Sequence, residues 1–293
     1  DNGEAIRKVC REFVMLCRRL ELFSEASVAI DGSKFKAVNT RDRNFTQAKM
    51  ERRLAQIDES IARYLAQLDS ADRQGEAVPE AKITRLNDKI AALRQEIQRL
   101  NQLNSQMMET EDKQISLTDP DARSMATSGR GSGMVGYNVQ SAVDTGHHLI
   151  VAHEVTNVGS DRGQLSDMTE RARAAIGSEA IEVVADRGYY SGEEIVAAEQ
   201  AGNTVYLPKP MTSGLYAKGR FGKQDFVYVA ADDVYLCPAG EQLTYHYTNE
   251  QDGKELRRYW TTACTTCALK SKCTTGKERR ISRWEHEAVL EAV

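Results

Sequence analysis

Two runs of apolar residues with heptad spacing, between residues 46 and 110, constrain the fold more than any other feature of this chain. Within each run the apolar positions step by three and four, and Glu, Lys, Arg and Gln fill the positions between them. These positions are Leu54, Ile57, Ile61, Tyr64 and Leu68, and then Ile83, Leu86, Ile90, Leu93, Ile97, Leu100 and Met107, with Asn104 at the seam. Gly75 and Pro79 lie between the runs and should break the helix. We predict a helical hairpin that folds on itself; a dimerising coiled coil is the alternative.

Outside the heptads the periodicity changes to short helices and alternating strands. Helical spacing occurs at residues 5–23, 163–176 and 193–201. Strand patterns occur at residues 27–35, 136–144, 148–155, 181–186 and 204–207. A turn is predicted at Thr145-Gly146 and a Gly- and Ser-rich loop at residues 128–133. The order predicts an α/β fold in which helices cover a mixed sheet.

Composition excludes few classes of protein. The 293 residues are 41% hydrophobic and 28% charged, as is ordinary for a globular protein. No run reaches the ~18 apolar residues of a membrane span, so we expect no membrane partner and a cytoplasmic location. With 39 Lys+Arg against 43 Asp+Glu, the net charge of −4 argues against a highly basic packaging protein. It does not exclude a local DNA-binding face.

Two acids follow apolar stretches that are predicted to be buried strands. Asp31 follows Val28-Ala-Ile30 and precedes Gly32, and Asp186 follows Val183-Val-Ala185 and precedes Arg187. Acids at the ends of adjacent strands lie at a sheet rim, where they can bind Mg²⁺. From spacing alone, a turn-forming or capping role is the alternative. Lys34 and Arg187 are candidates for phosphate contact or are solvated charges, and Asp161 is predicted to cap a helix.

Four short stretches occur in a fixed order along the chain. They are Val28-Ala-Ile-Asp31-Gly-Ser-Lys-Phe-Lys-Ala37, Gly136-Tyr-Asn-Val-Gln140, residues 157–165 and Val184-Ala-Asp186-Arg-Gly-Tyr-Tyr-Ser191. Together they resemble the DDE transposases of bacterial insertion sequences. The branch they resemble has a long helical insert after the first catalytic acid and a later cysteine-bearing region. The resemblance runs from about residue 20 to the end of the chain.

The resemblance implies an RNase H-like core that carries three metal-binding acids. Asp31 matches the first acid and Asp186 the second. The third, a Glu on a later helix, has no convincing match, and we expect neither Glu285 nor Glu287 to replace it. The implied activity is Mg²⁺- or Mn²⁺-dependent cleavage at the transposon end by activated water, followed by attack of a 3′-hydroxyl on target DNA.

The resemblance also divides the chain. The expected segments are the end of an N-terminal helical region (1–24), the RNase H-like core (25–45 and 116–215), the inserted hairpin (46–115), a cysteine-containing basic insert (216–283) and the start of a C-terminal helix (284–293). We expect a fragment cut at both ends. The implied partners are transposon-end and target DNA, bound by a homo-oligomer in the bacterial nucleoid. A related metal-dependent nuclease, or an inactive relic that still binds DNA or assembles, is the alternative.

Six cysteines form two groups. Cys10 and Cys17 share a helix face and are interpreted as buried apolar residues. The other four have the spacing Cys-x26-Cys-x2-Cys-x5-Cys and are Cys237, Cys264, Cys267 and Cys273. No secretory signal is apparent, so we expect reduced thiols, and a Zn²⁺ ion held by four thiolates is the favoured interpretation. Such an ion would staple a small, loop-rich region that lacks its own core. Unligated or redox-active thiols are the alternative.

The cysteine region is also basic. Residues 254–283 hold nine Lys or Arg against two Glu, a net charge of +7. Tyr245, Tyr247, Tyr259 and Trp260 flank or interleave these charges. The candidate phosphate contacts are Arg257, Arg258, Lys270, Lys272, Arg279 and Arg280. We favour DNA contact over a solvated surface that balances acids elsewhere.

Overall fold

The structure is a computed structural model that describes residues 2–23, 26–38, 43–73, 79–125, 133–211 and 214–293. Its helices are α1 (Gly3–Arg19), α2 (Gln47–Arg73), α3 (Glu80–Met108), α4 (Leu165–Ile176), α5 (Gly192–Gln200), α6 (Lys270–Cys273) and α7 (Glu287–Ala292). Its strands are β1 (Ser27–Lys36), β2 (Asn44–Thr46), β3 (Gln114–Ser116), β4 (Arg123–Met125), β5 (Met134–Asp144), β6 (Ile150–Thr156), β7 (Glu182–Ala185), β8 (Thr204–Tyr206), β9 (Val227–Val229), β10 (Val234–Leu236), β11 (Gln242–Gln251), β12 (Lys254–Trp260) and β13 (Ile281–Trp284). None of the helices described is both long enough and apolar enough to cross a membrane.

The chain divides into two compact units. The first contains residues 1–31, 141–153 and 161–293, and the second contains residues 32–140 and 154–160. Both contain helices and strands, so the predicted α/β class is confirmed. The predicted break between the heptad runs and the loop at 128–133 fall almost entirely on residues 74–78 and 126–132, which lie outside the described residues.

A six-stranded mixed sheet has the strand order β4-β5-β1-β7-β8, and β6 also pairs with β5. Strands β1, β7 and β8 are parallel. Strand β5 runs antiparallel to β1, because Thr145 contacts Ser27 whereas Ser141 contacts Asp31. The segment between β5 and β6 is short enough that these strands form a hairpin. Alternation along β1 buries Val28 and Ile30 in the core with α4 and α5.

Helix α1 contributes to the same core through a narrower face than its sequence indicates. Cys17 is buried, as predicted, but Cys10 is exposed. Ile6, Val9 and Phe13 are also more than half exposed, at 61%, 68% and 51%. The prediction that Cys10 is buried was therefore wrong, because only the C-terminal part of α1, including Val14 and Cys17, reaches the core.

The second unit is built around the two heptad runs, which form α2 and α3 and pack against each other. Met50, Ile57, Leu100 and Met107 are buried at the seam, with Phe45 from the strand that precedes α2. Strand β2 pairs with β3, and β4 pairs with β5. The apolar spacing thus produces the expected helices and their shared core.

A five-stranded antiparallel sheet in the first unit corrects the prediction for residues 216–283. Its order is β13-β12-β11-β10-β9, and its core is formed by Phe226, Tyr235, Leu243, Tyr259 and Ile281. We expected a loop-rich region without a core. Three of these five core residues are aromatic. The sequence therefore shows little alternation of aliphatic and polar residues, which is the pattern that predicts a strand.

Candidate active site and basic sheet

The two predicted acids lie next to each other on neighbouring parallel strands. Ile30 of β1 is the register partner of Ala185 of β7, and Asp31 and Asp186 are the next residues. Adjacent strands are ~4.8 Å apart, and register partners in a parallel pair point to the same face. Ile30 and Ala185 are buried, whereas Asp31 and Asp186 are exposed. The alternation of both strands therefore turns the two carboxylates toward solvent on one face.

The local backbone explains how Asp186 is held. Its backbone is extended, with φ −79° and ψ 170°, and its Oδ1 accepts a hydrogen bond of 2.7 Å from the Gly188 N–H. This bond caps a 3₁₀ turn over Arg187–Tyr189, and the buried Tyr189 anchors that turn in the core. A Cβ at Gly188 would lie 2.8 Å from Asp186 Oδ1, which explains the glycine at this position.

The sequence predicts a strand over residues 27–35 whose buried part ends at Asp31, and the structure shows which pairing stops there. Strand β1 continues to Lys36, because the Ala37 N–H and the Val135 carbonyl still pair it with β5. Only the pairing with β7 stops before Asp31. The Ser141 hydroxyl donates a 3.3 Å hydrogen bond to the Asp31 carbonyl. Asp31 is thus fixed by a continuous strand on one side and faces the end of β7 on the other.

The predicted helix cap at Asp161 was wrong. Helix α4 begins at Leu165 with Gln164 in the N-cap position, and the Gln164 N–H donates to the Asp161 carbonyl. Asp161 therefore lies in the turn before the helix. The sequence pattern placed the start of α4 too early because Gly163 and Gln164 carry no apolar side chain to mark it.

The residues described contain no group of three or more His, Cys, Asp or Glu arranged to hold a metal ion. The structure brings together Asp31 and Asp186, and a pair of carboxylates is a donor set that suits Mg²⁺ when water and phosphate complete the coordination. Glu287 has other partners: its carboxylate lies 2.7 Å from Lys223 Nζ and 3.8 Å from Lys209 Nζ. Burial lowers the pKa of Lys223, although Glu287 opposes this shift.

The four later cysteines line one pocket of the antiparallel sheet. Cys237 follows β10, Cys264 lies in a 3₁₀ turn, and Cys273 ends α6. Burial raises the pKa of the Cys273 thiol, the neighbouring Arg279 lowers it, and the other three thiols raise it further. All four are free thiols. Residues far apart in sequence therefore converge on one pocket, although the part of the chain that the structure describes holds no three of them in a metal-binding arrangement.

The basic segment divides into internally bonded and outward-facing cations. Arg257 pairs with Asp233 at 2.5 Å, and Arg258 donates to Asn249 at 2.7 Å and Gln251 at 2.9 Å. Arg279 lines the cysteine pocket, with its guanidinium 5.5 Å from the Phe226 ring. These arginines therefore make contacts that stabilise the sheet itself.

The outward-facing part of the sheet carries aromatic rings. His246 stacks on Trp260 with 3.4 Å between ring centroids and an interplanar angle of 5°. Arg280 lies 4.7 Å from the same Trp260 ring, and Tyr247 meets its edge. Sequence analysis missed His246, because it lies where the register of β11 shifts between Tyr245 and Tyr247 and no regular alternation marks it. Lys270 and Lys272 lie in α6, Arg187 is exposed beside Asp186, and Lys34 lies in β1.

Comparison with known proteins gives one partial match. The family model for a transposase DDE domain matches residues 236–292. The matched segment contains the four later cysteines, most of the five-stranded antiparallel sheet and α7, but neither Asp31 nor Asp186. A search of the curated proteins and a search of the solved structures found no match.

The structure defines an α/β protein in which two exposed acids lie side by side where a pair of parallel strands ends. The family match confirms the predicted likeness and supports a DDE transposase, over part of the chain. Proteins of that family are polynucleotidyl transferases or nucleases. They act on DNA and generally use divalent metals such as Mg²⁺.

Proposed function

We propose that this chain is the catalytic part of a transposase that cleaves DNA at the ends of an insertion sequence and joins those ends to target DNA. The observation that carries the proposal is the placement of Asp31 and Asp186, one residue beyond the register pair Ile30 and Ala185. The proposal extends to DNA as partner, a homo-oligomer on DNA and a location in the bacterial nucleoid, as the family likeness implies.

An RNase H-like core is part of this proposal. The six-stranded sheet has its first strand, β1, in the middle, with β4, β5 and β6 on one side and the parallel β7 and β8 on the other. Helices α4 and α5 pack their apolar residues onto the same core. This arrangement supports a core in which two catalytic acids come from neighbouring strands.

The residues of the site have distinct tasks. Asp31 and Asp186 would hold Mg²⁺ or Mn²⁺, which supplies an activated water and stabilises charge at phosphorus. The Gly188 N–H fixes one oxygen of Asp186, so the carboxylate is oriented before DNA binds. Arg187, exposed beside Asp186, would offset phosphate charge. Positioning and charge stabilisation, more than covalent chemistry, are what the protein contributes.

Replacement of either acid tests the proposal. Asp31→Asn and Asp186→Asn keep size and shape but remove the charge, so we expect nicking of a supercoiled plasmid with Mg²⁺ or Mn²⁺ to fall by at least about 100-fold. Circular dichroism should be unchanged. The matched control is Glu182→Gln, an exposed acid on β7 itself. Nicking by either Asn variant at the wild-type rate would refute the assignment. Cleavage without strand joining would instead indicate a nuclease.

We also propose that Cys237, Cys264, Cys267 and Cys273 bind a structural Zn²⁺ ion. The support is their convergence on one pocket beneath the antiparallel sheet, since four thiolates suit tetrahedral zinc. Coordination would lower the thiol pKa values and draw the side chains together.

Metal analysis of the purified protein, with and without a chelator, tests the zinc site. We expect about one zinc per chain. Cys273→Ser should lose the metal, whereas Cys10→Ser, at an exposed thiol on α1, should retain it. Less than about a third of a zinc ion per wild-type chain would reject a constitutive site.

A further inference from the structure

A basic groove lies in the second unit, whereas the basic segment that the sequence indicates belongs to the first. Its volume is about 950 Å³, and its lining contains five cations and one acid. The cations are Arg43, Lys49, Arg52, Arg53 and Arg99, and the acid is Glu96. Glu96 is ion-paired with Arg99 at 3.5 Å. The groove therefore has a clear excess of positive charge.

Three of these cations form one stripe along α2. Lys49, Arg52, Arg53 and the groove residue Gln56 are spaced i, i+3, i+4 and i+7, so their side chains share one face of the helix. The buried residues Met50 and Ile57 lie on a neighbouring face, against α3. The stripe residues are consequently not part of the hairpin core. Packing between α2 and α3 therefore does not determine which residue types occupy the stripe.

The position of the stripe opposes the dipole of its own helix. Acidic residues are favoured near a helix N-terminus and cations are disfavoured there. The first turn of the 27-residue α2 contains no acid but contains Lys49, and the second turn adds Arg52 and Arg53 beside one acid, Glu51. A helix that gathers cations at its positive end is stabilised when an anion occupies that end.

The groove wall holds some of these side chains in place. Lys49 Nζ donates a 2.9 Å hydrogen bond to the Asn44 carbonyl and lies 5.2 Å from the Phe45 ring. Arg52 Nε donates to the Ala48 carbonyl at 3.1 Å. The acceptors of these two hydrogen bonds are uncharged carbonyls, so the bonds orient the side chains without cancelling their charge.

The spacing fits the backbone of a nucleic acid. From Lys49 to Gln56 the helix rises about 10 Å, at 1.5 Å per residue. Successive phosphates of one strand are about 7 Å apart, because the strand winds around the duplex while it advances about 3.4 Å along the axis, so the stripe matches about two phosphates. We propose that this groove binds the phosphate backbone of duplex DNA. The inference rests on the proposed action on DNA and adds a second contact surface, on the helical hairpin.

A double substitution tests the groove. Arg52→Gln with Arg53→Gln removes two charges while keeping good helix formers. The probe is a fluorescein-labelled duplex of about 30 base pairs, and its anisotropy is followed across a NaCl series. Each lost phosphate contact reduces the slope of log K against log salt by about 0.9, so the double variant should lose about 2.

The matched control removes the same charge elsewhere on the hairpin. Arg85 and Arg94 are exposed on α3 and do not line the groove. Arg85→Gln with Arg94→Gln should change the slope by less than about 0.5. The melting temperature of the groove variant should equal or exceed that of the wild type, because cations leave the positive end of α2. A weaker affinity is then not a folding defect.

The outcomes separate this inference from the proposed function. If wild-type protein binds the duplex and the groove variant keeps the full salt slope, the groove inference is overturned and the proposed function stands. Equal losses in the groove and control variants also overturn it, because the effect would then be one of net charge. If wild-type protein does not bind duplex DNA, both proposals fail.

Discussion

Single residues in the antiparallel sheet carry more interactions than the sequence indicates, and Asp233 is the main example. In the turn between β9 and β10 its Oδ1 accepts hydrogen bonds from Tyr228 at 2.8 Å and Tyr259 at 2.7 Å. Its Oδ2 pairs with Arg257 at 2.5 Å. Burial acts to raise the pKa of Asp233, but the two hydroxyls and Arg257 outweigh it, so the pKa lies below its ordinary value.

We predict that Asp233→Asn lowers the free energy of unfolding by about 1–3 kcal/mol at pH 7, because it removes the charged acceptor of three bonds. A depressed folded-state pKa stabilises the protein above the unfolded-state value near 3.9. That stability is lost as pH falls through the folded value. Urea unfolding at pH 7 and in steps below pH ~4 should show a weaker acid loss in the variant. The control is the exposed neighbour, Asp232→Asn. Equal unfolding free energies for the two variants would contradict the prediction.

At the scale of elements, the sequence predicted those whose periodicity is long enough to see. Helices α2 and α3 follow from heptads, and β1, β5 and β7 from apolar alternation or short apolar runs. Strands β2, β3, β4, β9 and β10 were not predicted and have three residues each, which is too few for a period, although the equally short β8 was predicted. The aromatic core of β9–β13 was missed for a related reason. Tyrosines such as Tyr235 and Tyr259 are also common on surfaces, and only tertiary packing shows that these two are buried.

The candidate sites were likewise predicted from the sequence in one case and missed in the other. Asp31 and Asp186 were found because each follows a short apolar run, and parallel pairing then placed them side by side. The groove on α2 was missed, since cations between heptad positions are usually solvated. Arg43 and Arg99 reach the groove from outside α2, and no sequence spacing joins them to Lys49. A site whose residues lie in one element or one pair of strands can be predicted from the sequence. A site formed by the packing of elements far apart in the sequence cannot.

At the largest scale, the antiparallel sheet and the strand that leads to Asp186 belong to one compact unit. Trp284 of β13 packs on Gly192, where a Cβ would lie 2.8 Å from the indole ring. Lys254 of β12 pairs with Glu193 at 2.7 Å and lies 5.1 Å from the Trp284 ring. Helix α5 begins directly after the Asp186–Ser191 stretch, so these contacts brace the segment that presents the second acid.

We predict that Trp284→Ala destabilises the first unit by about 3–5 kcal/mol, because Trp284 is only 9% exposed and its loss leaves a cavity against α5. Hydrogen exchange should then quicken in α5 as well as in β12 and β13. Trp260→Ala is the control: it removes an aromatic ring from the same sheet but leaves Gly192 and α5 untouched, so faster exchange should be confined to the sheet. If Trp284→Ala opens the sheet while α5 stays as protected as in the wild type, the sheet does not brace the acid-bearing segment. If α5 opens too, plasmid nicking should fall in proportion to the open fraction, because Asp186 depends on that segment for its position.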